Sequence, residues 1–305
     1  MSNGLVSVIM PTYNQAQFIG EAIRSVIEQT YSNWELIVIN NFSEDDTVSV
    51  VEGFQDKRIT LINFKNNGVI AASRNAGIRQ CKGNYIAFLD SDDIWLTDKL
   101  SIQMSYLNKH KEVGLIGTNA IVIPGNKKLH NNIRSNRIVS TKELFLKSVI
   151  VNSTVLMRDS IVKKIGFLDE NPAIRAAEDL DYWIRASFEM KLAVIKKSLI
   201  FYRIHPGNAS ELNKNTLNSR KIFFELYLRV LSKYDNNLIF KKAINKFKKT
   251  YSSILASVDL NENFTPDITF LLKAFSSTAL LRTKFKILFR VTNSFIRLPW
   301  RYFRK

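Results

Sequence analysis

The sequence predicts an α/β fold in which a mostly parallel sheet is covered by helices. Over the first 110 residues, short apolar runs alternate with segments whose apolar side chains recur at helical spacing. The turns between them are short, so each strand–helix–strand unit favours parallel pairing across a crossover helix. With 305 residues and 46% hydrophobic content, the chain is large enough to bury a substantial core.

The individual elements follow from this alternation. The first strand is predicted at residues 5–10, and the next helix from apolar residues between 19 and 27, with Asn14 as its N-cap. Further strands are predicted at residues 35–40, 58–64, 85–89, 113–123, 153–157, 193–196 and 199–202. Further helices are predicted near residues 47–54, 70–81, 141–149, 159–165 and 178–190, and basic helices from about residue 217 onward.

Cysteine content and hydropathy exclude several classes of protein. The single cysteine, Cys81, excludes a disulfide framework and a cysteine-based zinc site, and it fits a reducing compartment. The first residues lack the basic region and long apolar run of a signal peptide. The sequence contains no run of about 18 uncharged apolar residues, so it predicts no membrane-spanning helix. We therefore expect a cytoplasmic protein.

The net charge of +17 is concentrated near the C-terminus. Residues 215–305 carry 18 Lys and Arg against 5 Asp and Glu. Between residues 280 and 305 the basic side chains alternate with large apolar and aromatic ones, a pattern typical of a helix lying on anionic lipid. A helix packed on the rest of the protein with a solvated basic face is the alternative. No nucleic-acid-reading motif accompanies the charge, so we expect no nucleic-acid partner.

The main chemical signal is the segment Phe88-Leu89-Asp90-Ser91-Asp92-Asp93. Its carboxylates directly follow an apolar strand, where the chain leaves the core. On extended backbone, Asp90 and Asp92 project from one face, and one or two carboxylates plus substrate phosphates are the usual ligands of Mg²⁺ or Mn²⁺. The segment therefore predicts a metal site for a nucleoside diphosphate. The alternative is an acidic turn that caps a helix near Thr97.

Two more polar clusters follow predicted strands. Pro11-Thr12-Tyr13 comes after the first strand and Asn40-Asn41 after the second. In open parallel sheets, ligands bind beyond the carboxyl ends of the strands. The three clusters together therefore predict one binding site at this edge of the sheet.

In these motifs and in their order, the sequence resembles the family 2 glycosyltransferases. These are inverting enzymes of the GT-A fold, a Rossmann-like, mostly parallel sheet flanked by helices, which build bacterial surface polysaccharides. The resemblance covers roughly residues 5–210. Besides the acidic segment it rests on Val6-Ser7-Val8-Ile9-Met10-Pro11-Thr12-Tyr13-Asn14, Gln29-Thr30-Tyr31, Asn67-Gly68, Ser73-Arg74-Asn75-Ala76-Gly77, Gly166-Phe167-Leu168-Asp169-Glu170, Glu178-Asp179 and Tyr202-Arg203-Ile204-His205-Pro206.

The resemblance implies a role for each candidate residue. Asp92 is implied to bind a divalent metal, Mn²⁺ or Mg²⁺, with Asp90 facing the ribose or the metal. His205 is implied to be a further metal ligand or a diphosphate contact. Asp179 is implied to be the general base, supported by Glu178. The implied donor-binding residues are Pro11, Thr12, Tyr13, Asn14, Asn40, Asn41, Arg74, Asp90 and Ser91.

One segment departs from the family pattern. Where the family commonly has Asp-Asp-Gly-Ser, this chain has Asn40-Asn41-Phe42-Ser43. The family's acid there contacts the pyrimidine base. An Asn amide can still accept from the N3–H of uracil or thymine and donate to a ring carbonyl. We therefore expect a UDP-sugar donor, with a dTDP-sugar second, and altered recognition of the base.

These observations lead to the following expectations. A GT-A domain spans residues 1–215, with a nucleotide-sugar half at about 1–110 and an acceptor half at about 111–215, followed by a basic helical region at 216–305. The expected reaction is metal-dependent transfer of a sugar to a lipid-linked glycan at the cytoplasmic face of the inner membrane, in O-antigen or capsule synthesis. A non-catalytic sugar-nucleotide-binding or membrane adaptor protein is one alternative. A nucleotidylyltransferase is another, although no Gly-rich basic loop follows the first strand.

Overall fold

The computed structural model describes residues 4–206, apart from residues 131–132, 147–148 and 175. The predicted basic region at 216–305 lies outside the described residues. In the part that is described, no helix has the length and apolar character needed to cross a bilayer.

Strands and helices alternate as predicted in the first half of the described chain. The strands are β1 (Val6–Thr12), β2 (Trp34–Asn40), β3 (Ile59–Asn63), β4 (Tyr85–Phe88), β5 (Ile94–Trp95), β6 (Val113–Ile123), β7 (Lys127–Lys128), β8 (Arg137–Val139), β9 (Leu156–Arg158) and β10 (Lys191–Arg203). The α-helices are α1 (Ala16–Ile27), α2 (Thr47–Glu52), α3 (Ile70–Gln80), α4 (Lys99–Lys109), α5 (Thr141–Leu146), α6 (Ser160–Ile165) and α7 (Glu178–Glu189). Short 3₁₀ helices cover Asn152–Thr154 and Pro172–Ile174.

One sheet connects both predicted halves. Its order is β3-β2-β1-β4-β9-β6-β10-β5, with β7 paired to β6 and β8 to β10. The pairs β3–β2, β2–β1 and β1–β4 are parallel, as expected from their crossover helices. The short strand β9 then runs antiparallel between β4 and β6 and joins the two halves. The α/β fold class predicted from the sequence is confirmed.

The sheet is buried on both faces because helices cover each side. Val8 and Met10 of β1 belong to the same apolar cluster as Ile23 of α1. The intervening Ile9 points to the other face, where α3 packs. At Gly77 of α3 a Cβ atom would lie 2.5 Å from Ile9 Cγ2, so only glycine allows α3 to approach β1 this closely.

The structure corrects three predicted elements. Asn14 is not the N-cap of α1, since this helix begins at Ala16 and Asn14 has a left-handed backbone with φ of 51°. The predicted strand at 153–157 begins as a 3₁₀ turn and becomes a strand only at Leu156. The two predicted strands at 193–196 and 199–202 are one strand, β10, whose register against β6 shifts around Ser198.

Candidate active site

The loops after β1 and β2 are hydrogen-bonded to each other and form one wall of the site. The Asn41 N–H donates to Thr12 O at 3.0 Å, and the Asn14 N–H donates to Ser43 Oγ at 2.9 Å. In return, Asn14 Oδ1 accepts the Glu44 N–H at 2.8 Å. The N-terminus of α1 is satisfied from the same loop, because Asp45 Oδ2 accepts the Ala16 N–H. The two predicted donor-binding segments are therefore held together by direct hydrogen bonds.

Tyr13 is an exposed aromatic side chain of this wall. Pro11 and Thr12 are buried at the end of β1, whereas the Tyr13 side chain is 49% exposed. The Thr12 hydroxyl is buried without a hydrogen-bond partner. The exposed ring of Tyr13 could stack on a flat ligand. The buried Pro11 and Thr12 fix the backbone directly before Tyr13.

Asn40 has a structural role that the sequence analysis did not anticipate. It is 1% exposed, its Nδ2 donates to Asn63 Oδ1, and its Oδ1 accepts from both the N–H and the hydroxyl of Ser43. Asn41 is less enclosed, and its Oδ1 accepts the Asn66 N–H at 2.9 Å. Asn41 rather than Asn40 is therefore the amide with hydrogen-bonding capacity left for a base.

Arg74 is a buried bridge between two of the predicted acidic motifs. Its side chain is 4% exposed, Nη1 lies 2.6 Å from Glu178 Oε1, and Nη2 lies 2.9 Å from Asp90 Oδ1. Burial alone would lower the pKa of Arg74, but the two carboxylates keep it above its usual value. The permanent charge of Arg74 thus links α3, the loop after β4 and the start of α7.

The acidic side chains in the loop after β4 differ in their exposure and in their partners. The Asp90 side chain is 29% exposed, whereas Ser91 and Asp93 are buried. Asp93 Oδ1 accepts the Arg203 N–H at 3.0 Å and so ties the loop to the end of β10. Burial raises the pKa of Asp93 well above its usual range, with further contributions from the charges of Asp92 and Asp90. The alternative of a helix cap does not apply, because the N-cap of α4 is Asp98.

Asp92 and His205 lie together where a divalent ion is predicted. His205 Nε2 is 3.0 Å from Asp92 Oδ2, and both side chains are mostly buried. Burial, followed by the charge of Asp90, raises the pKa of Asp92, and the imidazole opposes this. Two cis ligands of an octahedral ion at about 2.1 Å are themselves about 3 Å apart, so this pair fits a shared Mn²⁺ or Mg²⁺.

Three protein ligands do not converge at this pair. Among the described residues, no group of three His, Cys, Asp or Glu side chains has the arrangement of a metal cage. Magnesium-like ions commonly take only one or two carboxylates and complete their coordination with waters and substrate phosphates. The residues present therefore fit an ion that is held jointly by the protein and a diphosphate.

Glu178 and Asp179 open helix α7 beside Arg74. Glu178 is 5% exposed and paired with Arg74, whereas Asp179 is half-buried and its Oδ1 accepts the Leu180 N–H. Burial and the adjacent Glu178 charge raise the pKa of Asp179 to about 7, although Arg74 opposes the shift. A carboxylate that exchanges its proton near neutral pH is suited to general-base chemistry.

Asp181 does not belong to this group. Its Oδ2 accepts the Arg185 Nε–H at 2.7 Å, and the Arg185 guanidinium also donates to the carbonyls of Ile165 and Phe167. This ion pair anchors α7 to the end of α6. Of the three acids in the first turn of α7, Asp181 therefore has a structural role.

The structure adds residues that the sequence analysis missed. Asn152 Nδ2 donates to Asp90 Oδ1 at 3.2 Å, and the Asp90 N–H donates to Ser153 Oγ at 3.1 Å. Phe42 is 57% exposed with φ of 55°, an unusual conformation for a bulky residue, and it lies in the same wall as Tyr13. Residue 152 directly precedes the strand predicted at 153–157 and residue 153 begins it, and no local pattern distinguishes either residue.

Many buried polar atoms around this site lack a partner. Of the described side chains, those with a buried atom that makes no hydrogen bond include Thr12, Arg74, Asp93, Asn152 and Glu178. Such atoms are rare in folded proteins, and the five at this site are half of the ten such side chains among the described residues, so they are available to a bound ligand.

The comparison with known families agrees with this geometry. The model of glycosyl transferase family 2 matches residues 7–166, which include β1 from its second residue, the acidic loop (Asp90–Asp93) and the Asn152–Thr154 turn. The chain belongs to glycosyltransferase family 2. An uncharacterized glycosyltransferase of Rickettsia prowazekii (strain Madrid E) is 30% identical over 247 residues, covering 77% of this chain and 75% of the relative.

A second relative of this glycosyltransferase has a named activity. WfgD of Escherichia coli, a UDP-Glc:alpha-D-GlcNAc-diphosphoundecaprenol beta-1,3-glucosyltransferase, is 36% identical over 160 residues, covering 51% of this chain and 63% of WfgD. Among solved structures, the mannosyltransferase PcManGT of Pyrobaculum calidifontis, in complex with GDP-Man and Mn²⁺, superposes with a TM-score of 0.65. It covers 99% of this chain and 83% of PcManGT at 17% identity, and it therefore supports the GT-A fold alone.

We expect Arg74→Met to destabilise this glycosyltransferase by about 3–5 kcal/mol, because the buried Glu178 and the partly exposed Asp90 would lose their shared counter-charge. The measurement is the free energy of unfolding in denaturant. Arg79→Met on the same helix is the matched control, since Arg79 is exposed and should change stability by less than about 1 kcal/mol. Equal effects of the two substitutions would contradict the bridging role of Arg74.

Proposed function

We propose that the protein is a metal-dependent, inverting glycosyltransferase that transfers a sugar from a UDP-sugar to a hydroxyl of a lipid-linked glycan. The observation that carries the proposal is the Arg74 bridge, which links Asp90 of the donor side to Glu178, the neighbour of Asp179. A dTDP-sugar is the second choice of donor. The named activity of WfgD, with a UDP-glucose donor and a diphosphoundecaprenol-linked acceptor, supports this choice of substrates.

Each residue has a distinct task in the proposed reaction. Asp179 accepts the proton of the acceptor hydroxyl as the oxygen attacks C1 of the donor sugar. The new C1–O bond forms as the bond from C1 to the diphosphate oxygen breaks, and its electron pair leaves with the nucleoside diphosphate. Glu178 and Arg74 hold the helix end that carries Asp179, and Tyr13 and Asn41 position the base.

Asp92 and His205 are the proposed holders of the divalent ion, with Asp90 nearby. When bound, Mn²⁺ or Mg²⁺ neutralises the charge that develops on the leaving diphosphate. The presence of Mn²⁺ and a nucleotide sugar in the PcManGT complex is consistent with this choice of cofactor. The 3.0 Å approach of Asp92 Oδ2 to His205 Nε2 supports the proposal on this chain's own residues.

The basic C-terminal region is the proposed membrane contact. Residues 215–305 carry 18 Lys and Arg against 5 Asp and Glu, and each basic residue near an anionic bilayer contributes about 1 kcal/mol. Attachment to the cytoplasmic face of the inner membrane would bring the active site close to a lipid-linked acceptor. Synthesis of O-antigen, capsule or a similar surface polysaccharide is the proposed context.

A panel of sugar nucleotides tests the proposed donor. With Mn²⁺ and a donor at about 100 times its Kd, the protein should gain about 2.7 kcal/mol of stability, or about 5–10 °C in Tm. UDP-sugars should give the largest shift, dTDP-sugars the next, and CMP-sugars serve as controls. Absence of a shift with every donor, or an equal shift without metal, would contradict the proposal.

A further inference from the structure

The Asn152–Thr154 turn supports the acidic loop at two points. Asn152 Nδ2 donates to the side chain of Asp90 at 3.2 Å, and Ser153 Oγ accepts the Asp90 backbone N–H at 3.1 Å. All three residues of the turn are buried. The turn therefore restrains both the backbone and the carboxylate of Asp90.

The turn is itself anchored to core side chains. Trp95 Nε1 donates to Ser153 O at 2.8 Å, and Gln103 Nε2 donates to Thr154 O at 2.8 Å. Lys99 Nζ donates to Gln103 Oε1 at 2.8 Å and lies 3.8 Å from the centroid of the Trp95 ring. Since Lys99, Gln103 and Trp95 are all buried, the turn rests on a fixed platform.

The two donors to Asp90 select one of its oxygens. Arg74 Nη2 at 2.9 Å and Asn152 Nδ2 at 3.2 Å both meet Oδ1. Within the described part of the chain, Oδ2 takes part in no such hydrogen bond or ion pair. Asp90 Oδ1 is thus held by two protein donors, and Asp90 Oδ2 remains available to a ligand.

The hydrogen bond from Asn152 to Asp90 leaves the carbonyl oxygen of the Asn152 amide without a partner. A carboxylate only accepts hydrogen bonds, so Nδ2 must face Asp90, and this leaves Oδ1 buried without a partner. A buried carbonyl that lacks a donor opposes folding. A neutral amide nevertheless adds a second donor to Asp90 without changing the net charge of the cluster formed by Arg74, Asp90 and Glu178.

We propose that Asn152 is a positioning residue that fixes Asp90 so that Oδ2 meets the nucleotide donor or its metal ion. The inference rests on the proposed function. It assigns to Asn152 a part in donor affinity and none in proton transfer. Residues that orient a ligand of a metal site typically change affinity or activity by 10–100-fold when they are replaced.

The test is Asn152→Leu in the full chain, with Asn152→Ala as a smaller second variant. We expect the Kd for UDP in the presence of Mn²⁺, measured by calorimetry, to rise about tenfold. The Tm should stay the same or increase, because an apolar side chain of similar shape removes the unpartnered carbonyl. This combination separates a positioning residue from a purely structural one.

Asn119→Leu is the matched control. Asn119 is also buried, but its amide is satisfied, with Nδ2 donating to His130 O and Oδ1 accepting the N–H groups of His130 and Ala120. This variant should lose Tm and keep the wild-type Kd. If Asn152→Leu behaves like Asn119→Leu, or changes neither quantity, the proposal is wrong. If the wild type binds neither UDP, dTDP nor GDP with Mn²⁺, the proposed donor site itself is wrong.

Discussion

We expect Asp179→Asn to lower kcat by about a thousandfold while donor affinity stays within about threefold of the wild type. The asparagine side chain has the same shape, and its Oδ1 can still accept the Leu180 N–H. It cannot take up the acceptor proton. Initial rates with a saturating donor, together with calorimetric titration of UDP and Mn²⁺, separate the two effects.

The raised pKa of Asp179 predicts how pH affects both activity and stability. In the wild type, kcat/KM should rise with pH and level off above about pH 7, as the carboxyl loses its proton. Since the folded state holds this proton more tightly than the unfolded chain, folding becomes less favourable as pH rises from about 4 to about 7. The asparagine variant lacks this dependence, so its Tm should exceed that of the wild type at about pH 8.5 and lose that advantage at about pH 5.

Asp181→Asn is the matched control on the same helix turn. It breaks the pair with Arg185 and should lower Tm without reducing kcat of the folded enzyme. If Asp179→Asn retains kcat, or if Asp181→Asn loses it, the assignment of Asp179 as the general base is wrong. A wild-type kcat/KM that does not change with pH through the neutral range would also contradict the assignment of Asp179 as the general base.

We expect Asp92→Asn to remove metal-dependent donor binding. The substitution keeps the size of the side chain and a hydrogen bond to His205, but it removes the anionic oxygen that a divalent ion prefers. We expect the Kd for UDP in the presence of Mn²⁺ to rise at least about a hundredfold, since replacement of outer-shell partners alone costs 10–100-fold. The added effect of Mn²⁺ on UDP binding should disappear, which calorimetry with and without the metal measures.

The matched control for Asp92 is its neighbour. Asp93→Asn keeps an oxygen for the Arg203 N–H and leaves the loop attached to β10. It should therefore preserve the Mn²⁺-dependent affinity for UDP. If Asp93→Asn abolishes that affinity and Asp92→Asn does not, the assignment of the metal ligand within the acidic loop is reversed.

The sequence predicts the sheet edge well because its signals are local. Apolar runs that end near Thr12, at Asn40 or just before Asp90 mark the carboxyl ends of strands, and parallel pairing brings those ends together. The apolar spacing of α1 likewise corresponds to buried residues such as Ile19 and Val26. In each case the pattern depends only on which face of an element is buried.

The remaining features depend on partners distant in the chain. Arg74 is 104 positions from Glu178, and no spacing rule distinguishes a buried bridge from a surface arginine. Asn40 looks suited to base recognition until its hydrogen bonds to Ser43 and Asn63 are seen. The sequence of β10 predicts two strands because Lys196 and Lys197 interrupt its apolar pattern. The interruption lies at the register shift between β10 and β6.

The Arg74 bridge also restricts how this enzyme can be recombined with its relatives. One guanidinium on α3 serves an acid after β4 and another at the start of α7, so these positions form a matched set across both halves of the sheet. A chimera that joins the first 110 residues of one relative to the second half of another inherits only part of that set. Such chimeras should therefore fold and stay active when Arg74, Asp90 and Glu178 have equivalents in both parents, and fail otherwise.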